Sequence, residues 1–221
     1  MIGLVHKNLI AGRITPMWVL IYFAFCIIAG IIIRSYDLFS IIILGINGGF
    51  VGNYLFQCLA ANESNWQKLE VAMPVKAAYV ELSRYLSHVT ILVLTIIGSA
   101  LYALSCYLSN AIVNICEECK CTFASIVFDT FMMWCGLFLF FGAVFFILSH
   151  VVKSNIAIAQ IFSFVIMLAF LIGSSVIVGM RADGTNLVSW IILSATVLIY
   201  VGSYFLSMYL YKHKLQKKGA N

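Results

Sequence analysis

Six long apolar stretches separated by short polar segments make up nearly the whole chain, near 15–33, 40–61, 88–108, 123–150, 156–180 and 187–211. Each is close to the ~20 residues that carry a helix across the hydrocarbon core of a bilayer. The apolar runs are continuous, whereas the strands of a β-barrel would alternate in polarity. Only helices satisfy every backbone amide inside such segments. The pattern therefore predicts an all-α, polytopic membrane protein with six transmembrane helices in a single domain, 1–221. The first stretch is long and is followed by no small-residue cleavage site, so it reads as a retained span and not as a signal peptide.

Composition strengthens this reading and adds an orientation. Hydrophobic residues make up 63% of the chain and charged residues 10%, against about 25% charged in an ordinary soluble domain. With both termini cytoplasmic, ten of the thirteen Lys and Arg residues fall in the inner segments, and Arg34, Lys120 and Arg181 fall outside. That is a strong positive-inside bias. Asp37, Glu117, Glu118, Asp129 and Asp183 lie at or near the outer face. The net charge of +5 is spread along the inner rim, where anionic lipid attracts it, so nucleic acid is not an expected partner.

Motifs of chemistry are sparse. No G-x-x-x-x-G-K-[ST] loop is present, so the chain is not expected to hydrolyse nucleotide or to bind a cofactor of its own. H-E-x-x-H is absent, and Gly173-Ser174-Ser175 lacks the partners of an intramembrane protease. His88 and His150 fall at the cytoplasmic ends of spans, where an amphipathic ring sits at headgroup level. No His or carboxylate stands three or four residues from either, as a metal pair on one helix would require. Cys116, Cys119 and Cys121 form C-x-x-C-x-C in an outer loop, with Cys106 just before it. Disulfides, a soft-metal site and a reduced structural loop all fit that spacing. No charge occurs mid-span, which argues against an ion-coupled carrier.

Within the spans, polar residues are confined to stripes. Gly45, Gly48, Gly49 and Gly52 form small-x-x-x-small steps that would let a neighbouring backbone approach. Asn47, Phe50, Tyr54, Gln57 and Cys58 turn to the opposite side of the same span. Gln160 and Ser163 repeat the theme in the fifth, with Met167 and Ser174. These residues fit either a cargo path or interhelical hydrogen bonding.

The most polar segment, 62–87, holds three of the eight carboxylates and three of the thirteen basic residues. Ser64-x-x-Gln67 has the form of a capping box and starts a short helix through Trp66, Lys68, Leu69 and Glu70. Pro74 suits the first turn of a second helix. There Val75, Ala78, Tyr79, Leu82 and Leu86 form an apolar face opposite Lys76, Ser83 and Arg84, and Glu81 and Arg84 pair on the surface. This predicts a helix–break–helix element on the cytoplasmic surface. Glu63, Lys68 and Glu70 around one Trp suit a protein contact.

Glu63, Trp66, Met73-Pro74 and Ser83-Arg84-Tyr85-Leu86 resemble the segment after the second span of type 2 ABC export permeases. The six spans, the inner termini, the basic tail and an amphipathic N-terminal stretch (Ile2, Val5 and Leu9 with Lys7 and Arg13) extend the resemblance over the whole length. The cysteine-rich outer loop departs from it. The resemblance implies that 62–87 contains a coupling helix, with Glu63, Trp66, Lys68 and Glu70 contacting a separate ABC ATPase subunit that carries ATP and Mg. It also implies a second permease copy, the same chain or a paralogue, in a bacterial plasma membrane. Such a complex would export an amphipathic or hydrophobic cargo, a peptide in the similar subgroup, past Asn47, Phe50, Tyr54, Gln57, Gln160 and Ser163. The competing readings are a non-transporting assembly, immunity or sensor subunit and a carrier that works without ATP.

Overall fold

The computed structural model describes residues 2–11, 14–32, 47–48, 50–52, 54, 76–108, 123–151, 156–179 and 187–219. Among them the regular structure is entirely helical: α1 (Ile2–Ala11), α2 (Pro16–Ile32), α3 (Ala77–Leu108), α4 (Phe123–Val151), α5 (Ile156–Gly179) and α6 (Leu187–Gly219). The described residues between 47 and 54 are helical as well. Among the described residues three stretches are long and apolar enough to cross a membrane, Ala78–Leu108, Phe131–Val151 and Ser189–His213, and Pro16–Ile32 and Ile161–Phe170 are shorter apolar helices.

Local chemistry explains where two of these helices start. Thr15 precedes Pro16, which fits the first helical position, and the Trp18 amide donates to Thr15 Oγ1 at 3.5 Å in the manner of an N-cap. The turn before it is closed by the Ile14 amide donating to the Leu9 carbonyl at 2.9 Å. α3 begins after Lys76, whose carbonyl accepts from the Tyr79 amide at 2.9 Å.

Directions follow from which residues meet. Gly98 of α3 lies against the Tyr22 ring, and Gly30 lies against Tyr102 and Ser105, so α2 and α3 run the same way. α4 and α6 also run together, with Gly136 beside Thr196 and His150 beside Tyr211. α3 runs opposite to α4, since His88 meets Gly142 and Tyr85 stacks near Phe146. The core lies between α3, α4 and α6 and is rich in aromatic rings, with Tyr85, Phe141, Phe145, Phe146 and Tyr200 all buried. α1 packs across the start of α3, where Asn8 Nδ2 donates to Ser83 Oγ at 3.1 Å.

Small residues permit this packing: at Gly30, Gly98 and Gly142 an added Cβ would collide with a neighbouring helix, whereas at Gly48 and Gly52 it would meet nothing within 4 Å among the described residues. Gly45 and Gly49 lie outside the described residues. Several buried Ser and Thr hydroxyls bond back within their own helices, as in Ser83 to Val80 O, Thr95 to Leu92 O and Ser203 to Tyr200 O, each at 2.7 Å. Bonding back to the preceding turn lets a Ser or Thr sit in an apolar interior.

Candidate functional site

Glu81, Arg84, His88 and His150 gather at one end of the bundle, where α3 begins and α4 ends. α3 is one continuous helix from Ala77, so the second helix expected on the surface is the opening of the third apolar helix. Lys76, Tyr79 and Leu86 are exposed, while Glu81, Ser83, Arg84, Ser87 and His88 are buried. In a membrane the outward solvent is hydrocarbon, so apolar side chains turn out and polar ones turn to partners within the bundle.

Glu81 is 0% exposed and Arg84 6%, so the pair expected on the helix surface is internal. Arg84 Nη1 donates to Glu81 Oε1 at 2.8 Å. His150 Nε2, from α4, lies 3.3 Å from the same oxygen. The Arg84 guanidinium also sits 5.6 Å from the ring centroid of Tyr211 on α6, within cation–π reach. Two charged side chains thus fall in the opening turns of the Ala78–Leu108 helix, ahead of the stretch 88–108 that the sequence predicts as the span.

One turn deeper, hydroxyl and imidazole groups join α3 to α6. Tyr85 Oη lies 3.0 Å from both Ser203 Oγ and Ser207 Oγ. Tyr200 Oη donates to the Tyr85 carbonyl at 3.0 Å and stands 3.1 Å from His88 Nδ1. The His88 ring fills the space that Gly142 leaves open on α4. His88 is 1% exposed, so it is an interior residue and not the headgroup-level ring expected of it. His150 likewise faces inward through its contact with Glu81. Tyr200, Ser203, Ser207 and Tyr211 recur at three- and four-residue steps in an apolar helix. That stripe was the sequence signal for this half of the site.

A second network lies toward the middle of α2 and α3. Asn47 accepts a hydrogen bond from Tyr22 Oη and donates through Nδ2 to Ser99 Oγ at 2.6 Å. Phe50 stacks on Tyr22 with ring centroids 4.5 Å apart. Tyr54 is buried in the core cluster. Asn47 and Phe50 therefore come together with Tyr22 and Ser99, two residues absent from the sequence expectation. Ser163 of α5 is also buried. Gln160 belongs to α5, its side chain lies outside the description, and Gln57 is not among the described residues.

Glu63, Trp66, Lys68 and Glu70 lie outside the described residues, as do Cys116, Cys119 and Cys121. Cys106 is buried, and its Sγ lies 3.5 Å from the Gly30 carbonyl oxygen, in the contact between α2 and α3. Among the described residues no group of three His, Cys, Asp or Glu side chains could hold a metal ion.

Long apolar helices whose polar groups turn inward define a multi-pass membrane protein. The family model for ABC-2 family transporter proteins matches residues 3–212. The chain belongs to that family, whose members are membrane permeases of ABC transporters. No curated protein and no solved structure matches it.

Proposed function

We propose that this chain is the permease subunit of an ATP-driven exporter, with six spans, both termini in the cytoplasm and a separate ABC ATPase bound beneath it. Membership of the ABC-2 family over residues 3–212 is the observation that carries this reading. The shared direction of α2 and α3 supports the six-span topology, because two parallel helices require a return crossing between them. The inner end is then the end where α3 begins, next to the docking segment.

In this reading Glu63, Trp66, Lys68 and Glu70 contact the ATPase, which holds ATP and Mg. Two permease copies, identical or paralogous, form the path, and alternating access is a rigid-body switch between two packings. The cargo is amphipathic or hydrophobic, a peptide being the favoured class, and it moves outward. Asn47 and Tyr54 are buried between helices of one chain, so they line a path only when those helices separate. Asn47, Phe50, Tyr54, Gln57, Gln160 and Ser163 are proposed to do so in the open state.

Co-purification in mild detergent tests the partner. The expected result is an ATPase retained by the wild-type chain and lost on Trp66→Ala or Glu63→Lys, since a desolvated Trp at such a contact is worth ~2 kcal/mol or more. A wild-type chain that purifies alone from its native membrane under all mild conditions would overturn the proposal.

A further inference from the structure

Burying charge inside a membrane helix is costly, and a buried ion pair is tolerated only with good geometry and additional partners. Glu81 and Arg84 have both, and the partners come from different helices. Arg84 of α3 and His150 of α4 converge on one carboxylate oxygen. The same guanidinium reaches over Tyr211 of α6. Apolar packing elsewhere along the seam is non-directional and resists sliding only through shape. A charged, directional junction instead fixes the register of the three helix ends.

We infer that the Glu81–Arg84 ion pair, with the His150 imidazole against the same carboxylate oxygen, forms a clamp that makes the first turns of α3 move as one body with the last turns of α4 and α6. The inference rests on the reading of 62–76 as the ATPase-docking segment, because the clamp lies immediately after it on the chain. Force applied there enters α3 at Ala77 and passes through the clamp into α4 and α6. The layer formed by Tyr85, Tyr200, Ser203 and Ser207 keeps α3 and α6 aligned one turn deeper. Glu81, Arg84 and His150 are positioning residues in this scheme: they touch neither cargo nor nucleotide.

Spin-label distances in the permease–ATPase complex, reconstituted in lipid and cysteine-depleted, test it. Lys76→Cys at the start of α3 and His213→Cys on α6 are both at exposed positions. With labelled chains diluted in unlabelled ones, so that distances within one chain are read, the clamped protein is expected to give one narrow distance that is the same without nucleotide and with ATP, Mg and vanadate. Glu81→Gln, which keeps the shape and removes the charge, is expected to add a second, longer distance that grows with nucleotide. Ile91→Ala, a buried cavity variant deeper in α3, is expected to keep the single distance, which separates loss of the clamp from general destabilisation.

Should Glu81→Gln fail to fold, His150→Gln leaves the Arg84–Glu81 pair intact, and labels at Lys76→Cys and Val151→Cys are expected to show the same splitting between α3 and α4. A single unchanged distance in the folded charge-removed variant would overturn the clamp. Failure of the docking reading shows differently: Trp66→Ala would then keep the ATPase, while splitting in Glu81→Gln without nucleotide would still support the clamp.

Discussion

Gly142 and His88 illustrate how a single missing side chain shapes this protein. The imidazole of His88 occupies the space a Cβ at position 142 would take, and its Nδ1 meets Tyr200 Oη. Gly142→Ala is expected to push the ring out of that contact and to lower stability by about 1–3 kcal/mol, the range for overpacking a filled interior. A fall in the detergent melting temperature, with His88→Ala partly relieving it in the double variant, checks this. The Glu81 carboxylate is a more severe case. Replacing it with Ala leaves Arg84 buried without its counter-charge, and loss of one partner from a buried pair costs roughly 3–5 kcal/mol. Removing both together, as Glu81→Leu with Arg84→Met, is expected to restore much of that stability, measured by the same melting experiment. Asn47 makes a milder prediction. Asn47→Leu removes its hydrogen bonds to Tyr22 and Ser99, and interhelical bonds of this kind in membranes average about 0.6 kcal/mol each. Denaturant titration in mixed micelles reads that small difference.

At the scale of elements, helix limits were largely legible and helix faces were not. The predicted 123–150, 156–180 and 15–33 compare with Phe123–Val151, Ile156–Gly179 and Pro16–Ile32, because apolar length and a Thr-Pro start mark helix ends in one dimension. The start of the third apolar helix moved from His88 to Ala77, since polar residues near a span end look like surface until a partner helix is present. The same reasoning put Glu81 and Arg84 on the helix surface, whereas both are buried and Tyr79 and Leu86 face outward, as a hydrocarbon solvent favours. α1 supplies a prediction on this scale. Asn8 Nδ2 donates to Ser83 Oγ and the Val5 carbonyl lies 3.4 Å from Ser87 Oγ, so polar contacts tie α1 to the start of α3. Asn8→Ala is expected to raise protease cleavage within the first dozen or so residues several-fold, as a terminal element that loses a tertiary contact opens locally, while leaving the helical content of the whole chain unchanged.

Over the whole molecule, the distribution of charge predicts a sidedness. A cysteine placed at Lys212 is expected to react with an impermeant maleimide only after the inner face is opened, and one at Asp183 in intact cells. The reverse pattern would invert the topology. The sequence by itself determined that the chain lives in a membrane as long helices, because span length and the cost of an unpaired backbone amide in hydrocarbon depend on local composition alone. It also carried the resemblance that the ABC-2 family match supports. Only the tertiary structure decided that Glu81 meets His150 across 69 positions of chain, that Tyr85 meets Ser203 and Ser207, and that Asn47 bridges Tyr22 and Ser99. Those pairings join residues on different helices. Which faces meet is set by packing and by the absence of any other partner for a polar group in an apolar solvent, and no periodicity along one helix records it.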